Sequence, residues 1–169
     1  MDKEKYIKSF SEVKSDIEKC KEWLKNNDPG NYNNSALISV CCQGNIDIVK
    51  LLLADDRVDP SEGCSYAIIG ACMHGHLEIV KLLLEDGRAD PGEDDNYAIK
   101  MASENGYYEI VKLLLGDNRV DPSDNDNIAL EMAQENGHTD IINLLMADSR
   151  VINKMNEQKD YIIDSDSDG

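Results

Sequence analysis

The sequence predicts an all-α repeat solenoid of four helix–turn–helix units, each 31 residues long, behind an N-terminal capping helix. Two regularities carry that prediction. The first is register. Gly44, Gly75, Gly106 and Gly137 stand 31 residues apart, and so do Arg57, Arg88, Arg119 and Arg150, which are all the arginines of the chain. Ala36, Ala67, Ala98 and Ala129 keep the step, as do Asp55, Asp86, Asp117 and Asp148. A fixed period of roughly 20–50 residues marks stacked units, none of which can bury its apolar face alone. The second is punctuation. Each period holds two apolar-periodic runs parted by the glycine, and Pro60, Pro91 or Pro122 follows the second run, where helix cannot continue.

Taken in order, residues 1–30 read as a helix and its terminating turn. Tyr6, Phe10, Val13, Ile17, Cys20 and Leu24 fall three and four apart on one face of a single helix over residues 2–27, and Asn26-Asn27-Asp28-Pro29-Gly30 ends it. A terminal repeat needs a cap with a polar outer side, and this helix supplies one. The repeats span 31–153, as units of about 34–64, 65–95, 96–126 and 127–153. Each opens at Asn34, Ser65, Asn96 or Asn127, all good helix N-caps. A short inner helix follows, its small alanines allowing close approach, and it ends at the glycine, which suits a left-handed C-terminal residue. The outer helix carries Asp47, Glu78, Glu109 or Asp140 in its first turn, at the positive end of the helix dipole. Its body is Ile-Val-Lys-Leu-Leu-Leu in the first three units, with Lys50, Lys81 and Lys112 solvated. Residues 154–169 form a cap remnant, about one half-turn over Met155–Asp160, and an acidic tail whose last six residues are expected to be disordered.

The third unit resembles the ankyrin repeat through Ala102, the Asn105-Gly106 turn and Glu109-Ile110-Val111-Lys112-Leu113-Leu114-Leu115. The likeness covers about residues 34–153. The helix-opening Thr-Pro-Leu-His signature of that family stands here as Ser35-Ala36-Leu37-Ile38, Tyr66-Ala67-Ile68-Ile69, Tyr97-Ala98-Ile99-Lys100 and Ile128-Ala129-Leu130-Glu131. The combination of Asn-Tyr-Ala-Ile, Glu-Asn-Gly, Val-Lys-Leu-Leu-Leu and Arg-Val-Asp-Pro-Ser is similar to the variant found in protists and in the large DNA viruses that infect them. The resemblance implies a non-catalytic protein-binding module that works through its fingers and inner helices. The alternative role is a structural or assembly component that self-associates or is packaged in a virion.

Composition narrows the partner. Net charge is −17; residues 1–27 carry seven lysines against six acids, so the remainder carries −18. Such a field opposes nucleic acid, whose affinity comes mainly from phosphate neutralisation, and anionic membrane. It favours a protein partner with a basic surface. No run of 18 or more apolar residues predicts a membrane span. The start, Met-Asp-Lys-Glu-Lys-Tyr, has no apolar core of a secretory signal. Five cysteines, Cys20, Cys41, Cys42, Cys64 and Cys72, lack C-x-x-C spacing and are odd in number. They argue against a disulfide framework and for a reducing compartment, cytosol or nucleus; separately, a monomer is expected. Cys41 and Cys72 share a phase near His74, but same-phase positions of stacked helices lie about 8–10 Å apart, too far for one metal ion. They read as small apolar core residues. His76 and His138, just after the turn glycine, read as surface turn residues. No nucleophile, phosphate-loop or zinc-protease motif is present, so neither enzyme activity nor a cofactor is expected.

Each arginine follows an aspartate by two residues, just past a helix C-terminus. Arg57, Arg88 and Arg119 also precede one, whereas Ile152 stands in that place after Arg150. A planar fork beside carboxylates reads as a clasp for the turn. Binding is expected where the units differ. The fingers vary as Glu62-Gly63-Cys64, Glu93-Asp94-Asp95 and Asp124-Asn125-Asp126. The ends of the inner helices vary as Cys42-Gln43, Met73-His74, Glu104-Asn105 and Glu135-Asn136, and Tyr66 and Tyr97 start successive inner helices. The partner-binding candidates are therefore Glu62, Tyr66, Met73, His74, Glu93, Asp94, Asp95, Tyr97, Glu104, Asn105, Asp124, Asp126, Glu135 and Asn136.

The tail carries a separate candidate. Tyr161-Ile162-Ile163 before Asp164-Ser165-Asp166-Ser167-Asp168 is similar to SUMO-interacting motifs, in which an extended apolar segment adds to a sheet edge and acids meet a basic rim. Ile162 and Ile163 would fill the groove, and Ser165, with Asp168 three residues on, suits an acid-directed kinase. The competing reading folds Tyr161 and Ile162 back over the exposed end of repeat four.

Overall fold

A computed structural model describes residues 2–63 and 65–166, with side chains up to residue 157. The described residues form eleven helices and no strand, an all-helical repeat fold in two compact units, Met1–Asp90 and Pro91–Gly169.

The first unit opens with a hairpin, α1 (Lys3–Ser11) and α2 (Ile17–Asn26), rather than the single helix expected over residues 2–27. The break has a local cause. The N–H groups of Val13 and Lys14 both close on Phe10 O at 3.0 Å, ending α1. Asp16 then caps α2, its Oδ1 accepting from the backbone N–H of Glu18 and Lys19 at 3.1 Å. The apolar spacing of three and four runs straight through the break, so periodicity alone could not reveal it. Ile17, placed on the inner face by that spacing, is 41% exposed. Trp23 joins the two helices instead, its ring 5.4 Å from Tyr6 and 4.9 Å from Phe10, and its indole N–H donates to Ser9 Oγ.

Two repeat pairs follow, α3 (Asn31–Gln43) with α4 (Ile46–Leu53) and α5 (Tyr66–Met73) with α6 (Leu77–Asp86). α1 packs on α3 and α2 on α4, and α3 packs in turn on α5 and α4 on α6. The hairpin thus stacks as a shorter copy of a repeat. The second unit holds α7 (Glu93–Glu104) with α8 (Tyr108–Leu115), α9 (Asp124–Glu135) with α10 (Thr139–Met146), and α11 (Ser149–Asp166). α7 packs on α9, α8 on α10, and α11 against both helices of the last pair.

The core follows the register. The leucines and isoleucines Ile48, Leu52, Ile79, Leu83, Ile110, Leu114, Ile141 and Leu145 are fully buried, and so are the small Ala36, Ala67, Ala98 and Ala129. Cys41 and Cys72 are buried among them, and burial pushes both thiols well above the ordinary range, so they act as small apolar groups. The glycine after each inner helix is left-handed, as at Gly44 (φ 76°) and Gly106 (φ 77°). At these two positions closeness matters as well. A Cβ on Gly44 would lie 2.6 Å from His76 Cε1, and one on Gly106 2.7 Å from His138 Cε1. The imidazoles therefore reach back over the preceding repeat, Nε2 meeting Cys42 O at 3.1 Å and Glu104 O at 2.9 Å. His76 and His138 are inter-repeat links as much as surface turn residues.

The helix-opening residues do something other than capping. Asn34, Asn96 and Asn127 are left-handed, with φ of 54°, 58° and 67°, and buried, as is Ser65 at φ 50°. Among the described residues no side-chain capping bond is made at these helix starts; from Asn34, Ser65 and Asn96 the side chain meets the next finger instead. Asp59 N–H donates to Asn34 Oδ1 at 3.2 Å, Asp90 N–H to Ser65 Oγ at 3.0 Å and Asp121 N–H to Asn96 Oδ1 at 2.7 Å. Asn34 Nδ2 also donates to Asp59 O at 2.8 Å, pairing with both polar groups of one backbone unit. Each tether spans 25 residues. Ser65 does stand at the N-cap of α5, but without a side-chain capping bond; at the asparagines the expected cap gives way because the residue that caps helices also tolerates left-handed backbone.

The arginines form the expected clasp and reach further than the turn. Arg57, Arg88 and Arg150 each fork onto their own Asp55, Asp86 and Asp148, and Arg119 onto Asp117. The remaining donors of Arg88 bond Val58 O and Leu53 O, one repeat back, and those of Arg150 bond Val120 O and Leu115 O. Arg57 does the same to Asn27 O and Leu24 O of the hairpin. Two of the second aspartates turn to their own finger: Asp59 and Asp121 accept from the hydroxyls of Ser61 and Ser123. Arginine hydrogen bonds hold the carboxyls of Asp55, Asp86, Asp117 and Asp148 below their ordinary value. A depressed folded-state pKa stabilises above the unfolded value, near 4, and that contribution is lost as pH falls through the folded value. Melting temperature should therefore drop below about pH 4. Replacing one aspartate, as in Asp148→Asn, should flatten part of that acid limb and cost at most about 1 kcal/mol at neutral pH, since the pairs are partly solvated. An acid limb unchanged by all four replacements would remove the clasp from the account.

α11 differs from the expected tail. Helix begins at Ser149 in place of a fourth finger and runs to Asp166, well beyond a half-turn and into the last six residues. Repeat four has no proline at the position of Pro60, Pro91 and Pro122, so nothing stops helix there. Val151 keeps the buried slot of Val58 and Val120. The backbone of Tyr161–Ile163 is helical rather than extended; the side chains of Ile162, Ile163 and Ser165, and all of Cys64 and residues 167–169, lie outside the described residues.

Candidate protein-binding surface

The fingers owe much of their composition to backbone shape. Asp94-Asp95-Asn96 and Asn125-Asp126-Asn127 are runs of three left-handed residues, with φ between 48° and 67°. Asn and Asp are the non-glycine residues that enter this region most readily. Acidity there serves the turn first. Two finger acids are further engaged by the tethers: Asn34 Nδ2 donates to Glu62 Oε2 and Asn96 Nδ2 to Asp124 Oδ2, both at 2.8 Å. Asn105 and Asn136 cap their own inner helices, donating to Met101 O and Met132 O. These four candidates have structural work.

The rest divide by unit. In the first, Tyr66 is 47% exposed on α5, while Met73 is half-buried and His74 exposed at its other end. Tyr66 stands out because its neighbour in register is the small Ser35. This surface is neutral and soft. In the second unit, Asp94 and Asp95 are exposed at the start of α7, and Glu93 is half-buried beside them. Tyr97 is half-buried with Lys100 Nζ lying 5.2 Å from its ring centre, a cation–π contact. Glu104 is half-buried and Glu135 exposed at the helix ends, and Asp126 is exposed 3.4 Å from Lys154. Lys100 was missed in the sequence, although it lies one turn after Tyr97 on the inner helix. Glu131, exposed in the same phase, was missed likewise. Among the described residues no group of three or more His, Cys, Asp or Glu side chains is placed to hold a metal ion.

The arrangement is that of a presenting surface on paired short helices with left-handed fingers. The profile of ankyrin repeats (three copies) matches the sequence over residues 11–95 and again over residues 68–159. This chain belongs to the ankyrin repeat family. No curated protein matches it. The ankyrin match begins at residue 11, ahead of α2, in agreement with a hairpin that stacks as a repeat. Ankyrin repeats are in general protein–protein interaction modules and typically non-catalytic. No helix among the described residues is long and apolar enough to cross a membrane.

Proposed function

We propose that this ankyrin repeat chain is a monomeric, non-catalytic module that binds a protein with a basic surface. The observation that carries the reading is the second-unit surface, where α7 bears exposed Asp94 and Asp95 and the Tyr97–Lys100 pair, and α9, packed on it, exposes Asp126 and Glu135. Exposed acids of one sign steer a basic partner and repel nucleic acid and anionic membrane. Tyrosine supplies an amphipathic anchor of the kind that dominates interface energetics. The four described cysteines are free thiols, which supports a reducing compartment, cytosol or nucleus. The signature residues of the third repeat support placing the chain with the variant of protists and their large DNA viruses.

Charge is tested by the set Asp94→Asn, Asp95→Asn, Asp126→Asn and Glu135→Gln, which keeps the left-handed turns. Association with a captured basic partner should slow about tenfold, with dissociation little changed, and the difference should vanish at high salt. A partner insensitive to both salt and these changes would rule out the charge reading. Light scattering should give one chain per particle at all concentrations; concentration-dependent oligomers would favour the assembly role instead.

A further inference from the structure

The last tether of the second unit has lost its donor. Asn127 is left-handed like Asn96 and 4% exposed, and its Oδ1 has no hydrogen-bond partner among the described residues. A tether from Asn127 would fall 25 residues on, at Ile152, by the register of the other three. That N–H is spent inside α11, on Asp148 O at 3.1 Å. Beside Asn127 an open groove of about 360 Å³ runs between α9 and α11, lined by Asp126, Asn127, Leu130, Glu131 and Gln134 of α9 and by Met155 of α11. A buried acceptor without a donor costs its full desolvation, so the site favours whatever brings one.

We infer that this groove seats an extended peptide segment of a protein partner that carries a basic side chain. One backbone N–H of the segment donates to Asn127 Oδ1, as Asp121 N–H donates to Asn96 Oδ1 at 2.7 Å. Met155, unbranched and easily re-oriented, turns aside to admit it. The basic side chain meets Glu131 and Asp126, and the rim already accepts one cation, Lys154 Nζ at 3.4 Å from Asp126. The fingers of a second copy offer the same backbone, but their aspartates face an acidic rim and are repelled. The inference rests on the proposed function only in taking the partner to be a basic protein; it assigns a seat that shares Asp126 alone with the tyrosine-centred surface.

The probe is a blocked heptapeptide, Lys-Asn-Arg-Val-Lys-Pro-Ser, which is the finger of residues 117–123 with both aspartates changed to lysine. Added to the full chain labelled with nitrogen-15, it should shift the side-chain amide of Asn127 and the backbone signals of Leu130 and Glu131. Asn127→Gly, which keeps the positive φ, should weaken Kd about fivefold to tenfold, the usual worth of one hydrogen bond. Asn127→Asp, which keeps the acceptor, should bind at least as well as the parent. Glu131→Lys, on an exposed position, should weaken Kd about tenfold without touching the fold. The seat is refuted if millimolar peptide leaves the Asn127 amide unmoved, or if Asn127→Gly and Glu131→Lys both bind like the parent. Shifts confined to Tyr97, Lys100 and Glu104 would also refute it, while leaving the tyrosine-centred surface standing. Equal affinity for the unmodified acidic finger peptide would refute the basic occupant.

Discussion

Deleting residues 1–27 should cost roughly 5 kcal/mol or more and leave an aggregating, dye-binding chain. The hairpin buries Tyr6, Phe10, Cys20, Trp23 and Leu24, and burying one such side chain is worth about 1.5–3 kcal/mol. Polar links go with it. Tyr6 donates its hydroxyl to Pro29 O, Asn45 Nδ2 donates to Lys14 O, and Arg57 holds Asn27 O and Leu24 O. Removal would bare the faces of α3 and α4 that now meet α1 and α2. In a stack each repeat is stabilised by its neighbours alone, so the damage should concentrate there. Amide exchange should accelerate most over Leu37–Leu52 and least in residues 91–146. The single change Trp23→Ala tests the hub separately, at about 3–5 kcal/mol. A truncated chain that stays monomeric with unchanged melting would show that the hairpin is no cap and would turn attention to it as a binding element.

The register made the repeat frame legible because it is written in residues that only a stack explains, four arginines and four glycines in one phase. Burial of Val49, Val80 and Val111 beneath solvated lysines could be read from helical spacing alone. Three features escaped for physical reasons. The break between α1 and α2 conserves the apolar spacing, and only Asp16, an N-cap inside a charged stretch, marks it. The left-handed tethers use Asn and Ser, whose side chains serve a cap and a tether equally well, so composition could not separate the two. The binding candidates suffered most. Asp and Asn in a finger satisfy backbone shape before they satisfy a partner, and Glu62 and Asp124 proved to be held by Asn34 and Asn96. Tyr66 was separable in principle, because its counterpart one repeat earlier is the small Ser35, so no aromatic is called for at that phase.

The tethers give the second large effect, and equal substitutions in neighbouring repeats should give unequal results. Asn96→Ala removes two side-chain bonds, to Asp121 N–H at 2.7 Å and Asp124 Oδ2 at 2.8 Å, and puts a Cβ-bearing residue with no Asx preference at φ 58°. With about 1 kcal/mol per bond and about 1–2 kcal/mol for left-handed backbone, it should cost about 3 kcal/mol. Asn127→Ala meets the same backbone term but discards an acceptor that is already unpartnered, so it should cost about 1 kcal/mol. Glycine isolates the tether, since it accepts positive φ freely. Asn96→Gly should still lose about 1–2 kcal/mol, whereas Asn127→Gly should be close to neutral or slightly stabilising. Urea unfolding of the four variants measures the contrast, provided the denaturant slope stays constant across them. Equal losses at the two positions would mean that the asparagines are chosen for backbone shape alone and that the 25-residue tether contributes nothing to the stack.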